Sequence, residues 1–359
     1  MKEKRPRVRE GIGIEIGILP TGRYNAITDV PGVRVGQVTL IEGQDVRTGL
    51  TAILPHGEDL YREKVTGAVH VINGFGKSLG LPQVIETGSI ETPILLTGTL
   101  NVWRTADALV SCLLERNPDI TSINPVVGEC NDSYLNNIAQ RPVGFKEVKE
   151  ALENASSGEV AEGNAGAGCG MQAFGFKAGV GTSSRKVKDY TLGVLVVCNT
   201  GLLERFCIDG IPVGREFAMV REEAPMGSIM IILGTDAPAT PRELERIAKR
   251  AGFGLARAGG TATHQSGDFV IAFSNADKTK IASEPIPVNM LDSLFGAAVD
   301  ATEEAIINSV LRATDLTGNR NRTRKAIPIK HVMDIMSKYG RIKPGHAEGN
   351  DISGSIQKI

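Results

Sequence analysis

The chain has 359 residues and a net charge of −1, because 40 lysines and arginines nearly balance 41 aspartates and glutamates. This length allows one large domain or two ordinary ones. The nearly balanced charge argues against nucleic acid or an anionic membrane as a partner. Five cysteines without a CxxC pair argue against a disulfide framework or a structural zinc site.

Neither a signal peptide nor a membrane span is predicted. The charged start, MKEKRPRVREG, is not followed by an apolar signal core. Runs of about 18 apolar residues, the length that spans a bilayer, do not occur in the sequence. We therefore expect a cytoplasmic protein.

The first half of the chain predicts short strands and two helices. Residues 1–60 carry the stretches GIGIEIGIL and ITDVPGVRVGQVTL, which predict extended segments separated by turns. Residues 69–72 and the run TPILLTGTL predict buried strands. NVWRTADALVSCLLERNP and GFKEVKEALENASSG each place apolar residues at helical spacing, so two helices are predicted there.

The second half predicts long buried strands and two longer helices. The strand TLGVLVVCNTG ends on Asn199, the strand SIMIILG begins at Ser228, and HQSGDFVIAFSN forms a third strand. Between the last two lies TPRELERIAKRAGFGLARAGG, which carries a capping box, and MLDSLFGAAVDATEEAIINSVLRA predicts another helix. Strands that are apolar on both faces need cover on both sides, which a sandwich of two sheets with helices outside would provide.

The segment PMGSIMIILG is the most informative candidate site. Ser228 opens a buried strand directly after Gly227, so its hydroxyl is placed to attack the preceding carbonyl, and Gly227 has no side chain in the way. After such a cut the free α-amine of Ser228 would titrate near about 7.7–8.0. One residue would then supply both a nucleophile and a general base.

Three other patterns point to different chemistry. Gly76-Lys77-Ser78 resembles the end of a phosphate-binding loop, but Val71 occupies the position where that motif requires glycine. GNAGAGCG lacks the third glycine of the dinucleotide motif, and is either a tight connection or a loop near the substrate. Ser228, His264 and Asp268 suggest a serine-protease triad, although a lone histidine is more often structural. The histidines form no metal-ligand spacing, so no metal or cofactor is predicted.

The surrounding segments resemble a known family along nearly the whole chain. They include VINGFGKSLG, VVGECNDSYLNNI, EGNAGAGCGM, PMGSIMIILGTDAP and GFGLARAGGTATHQSGDFVIAFS, in this order. In their number and order they are similar to the L-aminopeptidase/D-amidase/D-esterase and β-peptidyl aminopeptidase family, whose members are self-processing N-terminal-serine peptidases.

The resemblance implies an α+β fold, a four-layer αββα sandwich like that of N-terminal nucleophile hydrolases. It implies that a single peptidase domain, residues 1–359, cuts itself between Gly227 and Ser228 into fragments 1–227 and 228–359, and that several such pairs form a homo-oligomer.

The resemblance also implies roles for individual residues. Ser228 would be the nucleophile, Ser266 and Asp268 its supporting polar pair, and Asn199 an oxyanion donor. Glu129 would bind the substrate ammonium, with Cys130, Asn131 and Tyr134 in the same pocket. Family members can carry the longer glutamate where this chain has Asp268, which leaves the reach of that carboxylate open.

The predicted function is a serine aminopeptidase or amidohydrolase that removes N-terminal amino acids from small peptides, amides or esters through an acyl-enzyme on Ser228. Two alternatives remain open at this point. One is an acyltransferase of the ornithine-acetyltransferase kind, which resembles this chain in architecture but uses threonine as its nucleophile. The other is an uncut, inactive scaffold with the same fold.

Overall fold

A computed structural model describes residues 5–217, 227–283 and 286–342. The strands are β1 (Arg34–Glu42), β2 (Val46–Leu54), β3 (Val65–Gly74), β4 (Ser89–Ile90), β5 (Ile94–Gly98), β6 (Val126–Cys130), β7 (Gln172–Ala173), β8 (Phe176–Lys177), β9 (Val180–Val187), β10 (Tyr190–Asn199), β11 (Ser228–Thr235), β12 (Gly267–Ser274), β13 (Leu316–Gly318) and β14 (Arg322–Arg324). The helices are α1 (Leu81–Thr87), α2 (Val102–Arg116), α3 (Phe145–Glu153), α4 (Pro241–Ala258), α5 (Lys278–Ser283), α6 (Val288–Leu311) and α7 (Ile329–Lys338).

Two mixed sheets form the centre of the molecule. The smaller has the strand order β1-β2-β5-β6, and the larger has the order β4-β3-β12-β11-β10-β9. Most neighbours are antiparallel, but β5 and β6 are parallel, and so are β11 and β12. The other strands pair as two short hairpins, β7-β8 and β13-β14.

The sheets stack face to face with helices on both outer sides, which confirms the predicted αββα sandwich. Buried apolar side chains of both sheets, such as Ile53, Leu96, Leu195 and Ile232, share one cluster between the sheets. A second cluster joins the small sheet to α2 and α3. A third joins the large sheet to α4 and α6. The central strands are therefore covered on both faces, as their continuous apolar sequences require.

The helices predicted from apolar periodicity are confirmed by α2, α3, α4 and α6. The predicted capping box of α4 is present, because the Thr240 hydroxyl accepts from the Glu243 amide while the Glu243 carboxylate accepts from the Thr240 amide. Within the described ranges, no helix combines the length and the apolar character needed to cross a bilayer.

The N-terminal region differs from the prediction of short extended stretches. Strands β1 and β2 are each nine residues long, and Val8–Ile12 forms a single helical turn. The alternation in GIGIEIGIL still reports burial, because Ile12, Ile14 and Ile16 are buried while Ile18 is exposed. This segment packs against the helical layer instead of joining a sheet.

Candidate active site

Ser228 lies where the ends of three neighbouring strands of the large sheet come together. It is the first residue of β11, and it pairs with Asn199 at the end of β10 and with Gly267 at the start of β12. Only 4% of its surface is exposed. The strand order thus brings the predicted nucleophile beside Asn199 and the Ser266–Asp268 segment, although these residues are far apart in the sequence.

Gly227 is buried directly before Ser228. A Cβ atom at this position would come within 2.9 Å of Thr200 Oγ1 and 3.2 Å of Ser266 Oγ. Two hydroxyl groups therefore crowd the residue that carries the predicted scissile carbonyl, and glycine is the residue that fits. The sequence analysis did not identify Thr200. The stretch before this site, residues 202–227, is predicted to be irregular, and its residues 218–226 lie outside the described residues.

Ser266 and Asp268 form the predicted polar pair. The Ser266 hydroxyl donates to Asp268 Oδ1 at 2.7 Å, and both side chains are fully buried. Burial raises the pKa of Asp268 to about 6, although hydrogen bonds from the Ser266 hydroxyl and the Ile229 amide favour the charged form. The aspartate thus contacts β11 one residue beyond Ser228, in a setting where a nearby cation would favour its ionised form.

Asn199 and Asn131 are hydrogen-bonded to each other beside the predicted nucleophile. The Asn199 Nδ2 group donates to the Asn131 carbonyl at 3.0 Å, and Asn199 Oδ1 accepts from the Gln172 amide at 3.1 Å. The Asn131 backbone N–H points to Ser228 Oγ across 3.4 Å. The Asn131 side chain accepts from the Ser133 amide, as in an Asx turn. Asn131 therefore faces Ser228 through its backbone.

Cys130, predicted to line the substrate pocket, is a further neighbour of Ser228. Burial raises the pKa of its thiol well above the ordinary value, and a hydrogen bond with the Ser228 side chain opposes this rise only in part. The thiol also contacts the Val197 carbonyl at 3.3 Å. The thiol is therefore protonated, donates to the Val197 carbonyl and lies beside the serine hydroxyl.

Glu129 is buried next to Cys130, and one of its carboxylate oxygens has no hydrogen-bond partner in the described residues. Its Oε1 accepts from the Lys77 backbone amide at 3.0 Å and lies 3.6 Å from Lys77 Nζ. Its Oε2 is buried and has no hydrogen-bond partner among the described residues. A buried, half-satisfied carboxylate is suited to bind a positively charged group.

Asn73 connects β3 to the segment that leads into β12. Its amide donates to the Ser266 carbonyl, to the Thr263 carbonyl at 3.1 Å and to the His264 carbonyl at 3.3 Å. A register shift interrupts the β3–β12 pairing next to Asp268, and irregularities of this kind commonly re-aim side chains near active sites. The pattern of the sequence contains no signal for this bridging role.

The remaining candidates lie differently from the first group. Tyr134 stacks under Arg324 and Arg322, with distances from ring centre to guanidinium carbon of 4.3 and 5.2 Å, so its place in the substrate pocket stays a prediction. His264 is exposed whereas Ser228 and Asp268 are buried, which does not favour the triad.

The glycine-rich loop serves as a tight connection against the small sheet. A Cβ at Gly166 would come within 2.4 Å of Thr51 Oγ1, and one at Gly170 within 2.3 Å of the Arg47 carbonyl. The loop leads into Gln172, whose amide orients Asn199. Within the described part of the chain, no group of three His, Cys, Asp or Glu side chains is arranged to hold a metal ion.

Comparison with known proteins identifies a family over most of the chain. The model of peptidase family S58 matches residues 25–324. Beta-peptidyl aminopeptidase BapA from Sphingosinicella microcystinivorans is 38% identical over 372 residues, which cover 94% of this chain and 93% of that protein.

Solved structures agree with this match. The PH0078 protein from Pyrococcus horikoshii OT3 superposes with a TM-score of 0.87 at 46% identity, covering 92% of this chain and 99% of that one. The L-aminopeptidase D-Ala-esterase/amidase from Ochrobactrum anthropi has a TM-score of 0.85 at 36% identity, covering 94% and 99%. It is described as a prototype of the serine aminopeptidases with a variant of the Ntn-hydrolase fold.

Proposed function

Because the chain belongs to peptidase family S58 and is a hydrolase of the aminopeptidase class, we propose that Ser228 is its nucleophile and is released by a cut after Gly227. The observation that carries this proposal is the convergence at Ser228 of three strand ends that bear Asn199, Ser266 and Asp268. The chain is a single peptidase domain, and the cut would divide it into fragments 1–227 and 228–359.

The self-cleavage step starts with Ser228 Oγ attacking the Gly227 carbonyl carbon. The Gly227–Ser228 C–N bond breaks as the ester forms, and the hydroxyl proton passes to the departing nitrogen, which becomes the α-amine of Ser228. Water then hydrolyses the ester to a Gly227 carboxylate and a free hydroxyl. The steric space that glycine leaves beside the Ser266 and Thr200 hydroxyls supports this route.

In the mature enzyme, the ammonium of the substrate would bind Glu129, and the carbonyl of the substrate would face Ser228 Oγ. The Ser228 amine would accept the hydroxyl proton and return it to the leaving amine or alcohol. Asp268, together with Ser266, would hold that amine as it becomes charged. The Asn199 amide and the Asn131 backbone N–H would stabilise the oxyanion, a contribution worth about 10²–10³ in rate for a single donor. Water then releases the acyl group.

The substrates that fit this site are small peptides, amides or esters with a free amino group, and the resemblance extends to L-, D- and β-amino acids. We also propose that cut pairs assemble into a homo-oligomer. A cytoplasmic location is supported by the five cysteines, all of which are free thiols. The comparisons do not favour the acyltransferase alternative, and an amine acceptor should therefore not raise turnover beyond hydrolysis.

Intact mass under denaturing conditions tests the proposed nucleophile. The wild-type protein should give two species that divide the chain between Gly227 and Ser228, whereas Ser228→Ala should give one species of 38.2 kDa. Ser274→Ala, which removes a buried hydroxyl at the far end of β12, is the matched control and should still be cut. Cutting at the same bond in Ser228→Ala would overturn the proposal.

A further inference from the structure

Two buried glutamates each pair with a lysine that is 40% exposed, but the two pairs differ in how fully they are satisfied. Lys64 Nζ lies 2.5 Å from Glu91 Oε2, while Gln83 and the Asn124 amide donate to Oε1. Every oxygen of Glu91 is therefore occupied. This pair is complete without a ligand.

The Lys77–Glu129 pair is incomplete. Lys77 Nζ stays 3.6 Å from Glu129 Oε1, which is beyond a normal hydrogen bond, and Glu129 Oε2 has no partner in the described residues. Glu129 is as buried as Glu91, with side chains exposed by 3% and 6%. The second pair therefore offers one open acceptor and a lysine whose N–H groups are not held by Glu129.

The segment that carries Lys77 packs on the large sheet where β12 begins, next to Ser228. A Cβ atom at Gly267, the strand partner of Ser228, would come within 2.8 Å of the Phe75 carbonyl. Gly76 packs in the same way on the Phe269 ring. The segment is thus held at Lys77 by Glu129 and at Phe75 and Gly76 by the first residues of β12.

The charges around Glu129 indicate what a bound substrate should carry. A substrate ammonium on Oε2 would bring two cations to one carboxylate, which leaves an excess positive charge in a largely buried site. Asp132, the next carboxyl group along the chain, is buried, and neither of its oxygens has a hydrogen-bond partner in the described residues. Burial raises its pKa to about 6, which favours the neutral form over the charged one. A carboxylate on the substrate itself, next to its ammonium, would restore the balance and would meet the free Lys77 N–H groups.

We propose that Lys77 is a specificity-determining residue that favours an N-terminal residue with a free carboxylate beside its ammonium. Aspartyl residues meet this description, whether linked through the α- or the β-carbonyl. The ammonium would bind Glu129, the carboxylate would bind Lys77 Nζ, and the other carbonyl would face Ser228. This inference rests on the proposed function, because it uses Glu129 as the ammonium site.

The test compares substrates that differ in that carboxylate. With the cut wild-type enzyme, kcat/KM is measured for p-nitroanilides of Asp and Asn linked through the α-carbonyl, and of β-linked Asp and β-alanine. We expect the carboxylate member of each pair to be favoured about fivefold, as for a partly exposed charge pair. The difference should lie mainly in KM. It should shrink when KCl is raised from about 0.05 to 0.5 M.

Variants assign the preference to Lys77. Lys77→Met should abolish it, Lys77→Arg should retain it, and the matched variant Lys64→Met should leave it unchanged. If Lys77→Met is not cut or does not fold, Lys77→Gln and the salt dependence of the wild type provide the same measurement.

The outcomes separate this inference from the proposed function. Hydrolysis of the neutral substrates with equal rates for both members of each pair, or a preference that Lys77→Met retains, overturns the role of Lys77 and leaves the aminopeptidase standing. A cut enzyme that hydrolyses none of the four substrates, or a Ser228→Ala chain that hydrolyses them, overturns the proposed function and this inference together.

Discussion

Replacing Asp268 with asparagine should stabilise the uncut chain while it removes a carboxylate that the proposed mechanism uses. The side chain is completely buried, yet it is ionisable, and no cation of the described residues shifts its pKa in the uncut chain. Asparagine has almost the same shape and can still accept from the Ser266 hydroxyl. To keep every sample uncut, the comparison is made between Ser228→Ala and Ser228→Ala/Asp268→Asn.

The magnitude follows from the pKa of Asp268, which burial raises from 3.8 to about 6. Since the folded-state pKa is the higher one, the stabilisation by the protonated form is fully present below pH 3.8 and is lost as the pH rises through 6. A shift of about two pH units at about 1.36 kcal/mol each corresponds to about 3 kcal/mol. Asparagine carries no charge, so the double variant should avoid this loss.

Urea unfolding followed by circular dichroism between pH 4 and pH 8 measures the difference. The two proteins should have similar free energies of unfolding near pH 4, and the double variant should be up to about 3 kcal/mol more stable at pH 8. Ser228→Ala/Asp292→Asn changes an exposed aspartate and provides the baseline. In the chain that retains Ser228, Asp268→Asn should lower both self-cleavage and turnover, which would be a trade of activity for stability.

A difference that does not depend on pH, or a double variant that is less stable at pH 8, would refute this reasoning. Either result would mean that the carboxylate is compensated in the uncut chain. The Asp268 carboxylate would then not depend on the Ser228 amine for its compensation.

Three further predictions concern the site. Gly227→Ala should slow self-cleavage, because a methyl group there would come within 2.9 and 3.2 Å of two hydroxyl oxygens. Denaturing mass spectrometry measures the fraction of chain that is cut. The control Gly296→Ala, whose methyl group would meet nothing within 4 Å, should be cut normally. Asn73→Ala should slow cutting and alter the pH profile of kcat, whereas Asn275→Ala, which also removes an amide bonded to two loop carbonyls, should change neither. Asn199→Ala should lower kcat by about 10²–10³ with a much smaller effect on KM; an unchanged kcat would exclude it as the oxyanion donor.

Much of the site could be located from local sequence signals and the resemblance. A serine after glycine at the start of a continuous apolar strand indicated Ser228, and the two-residue spacing of Ser266 and Asp268 predicted their shared face. Their hydrogen bond at 2.7 Å agrees with that prediction. The helices were equally accessible, because their apolar periodicity reflects burial on one side.

Strand β9 shows where pattern alone was insufficient. Its sequence, VGTSSRKV, is polar, yet Ser183, Ser184 and Arg185 are completely buried. The Ser183 hydroxyl donates to the Ala301 carbonyl, and Arg185 pairs with the buried Glu304 of α6 at 2.6 Å. A buried polar strand needs partners from other elements, and the sequence of the strand itself does not reveal them.

The sequence by itself determined the apolar buried strands and the main helices, because these depend on burial patterns along the chain, and its resemblance to a known family indicated the candidate nucleophile. Only the tertiary structure decided which distant groups surround that nucleophile. Strand pairing and sheet stacking bring separate segments together around Ser228, and these segments carry Cys130, Thr200 and Asn73. Lys77, which the motif rules assigned to a failed phosphate loop, lies beside Glu129 for the same reason: its surroundings are set by contacts across the fold, and local spacing carries no record of them.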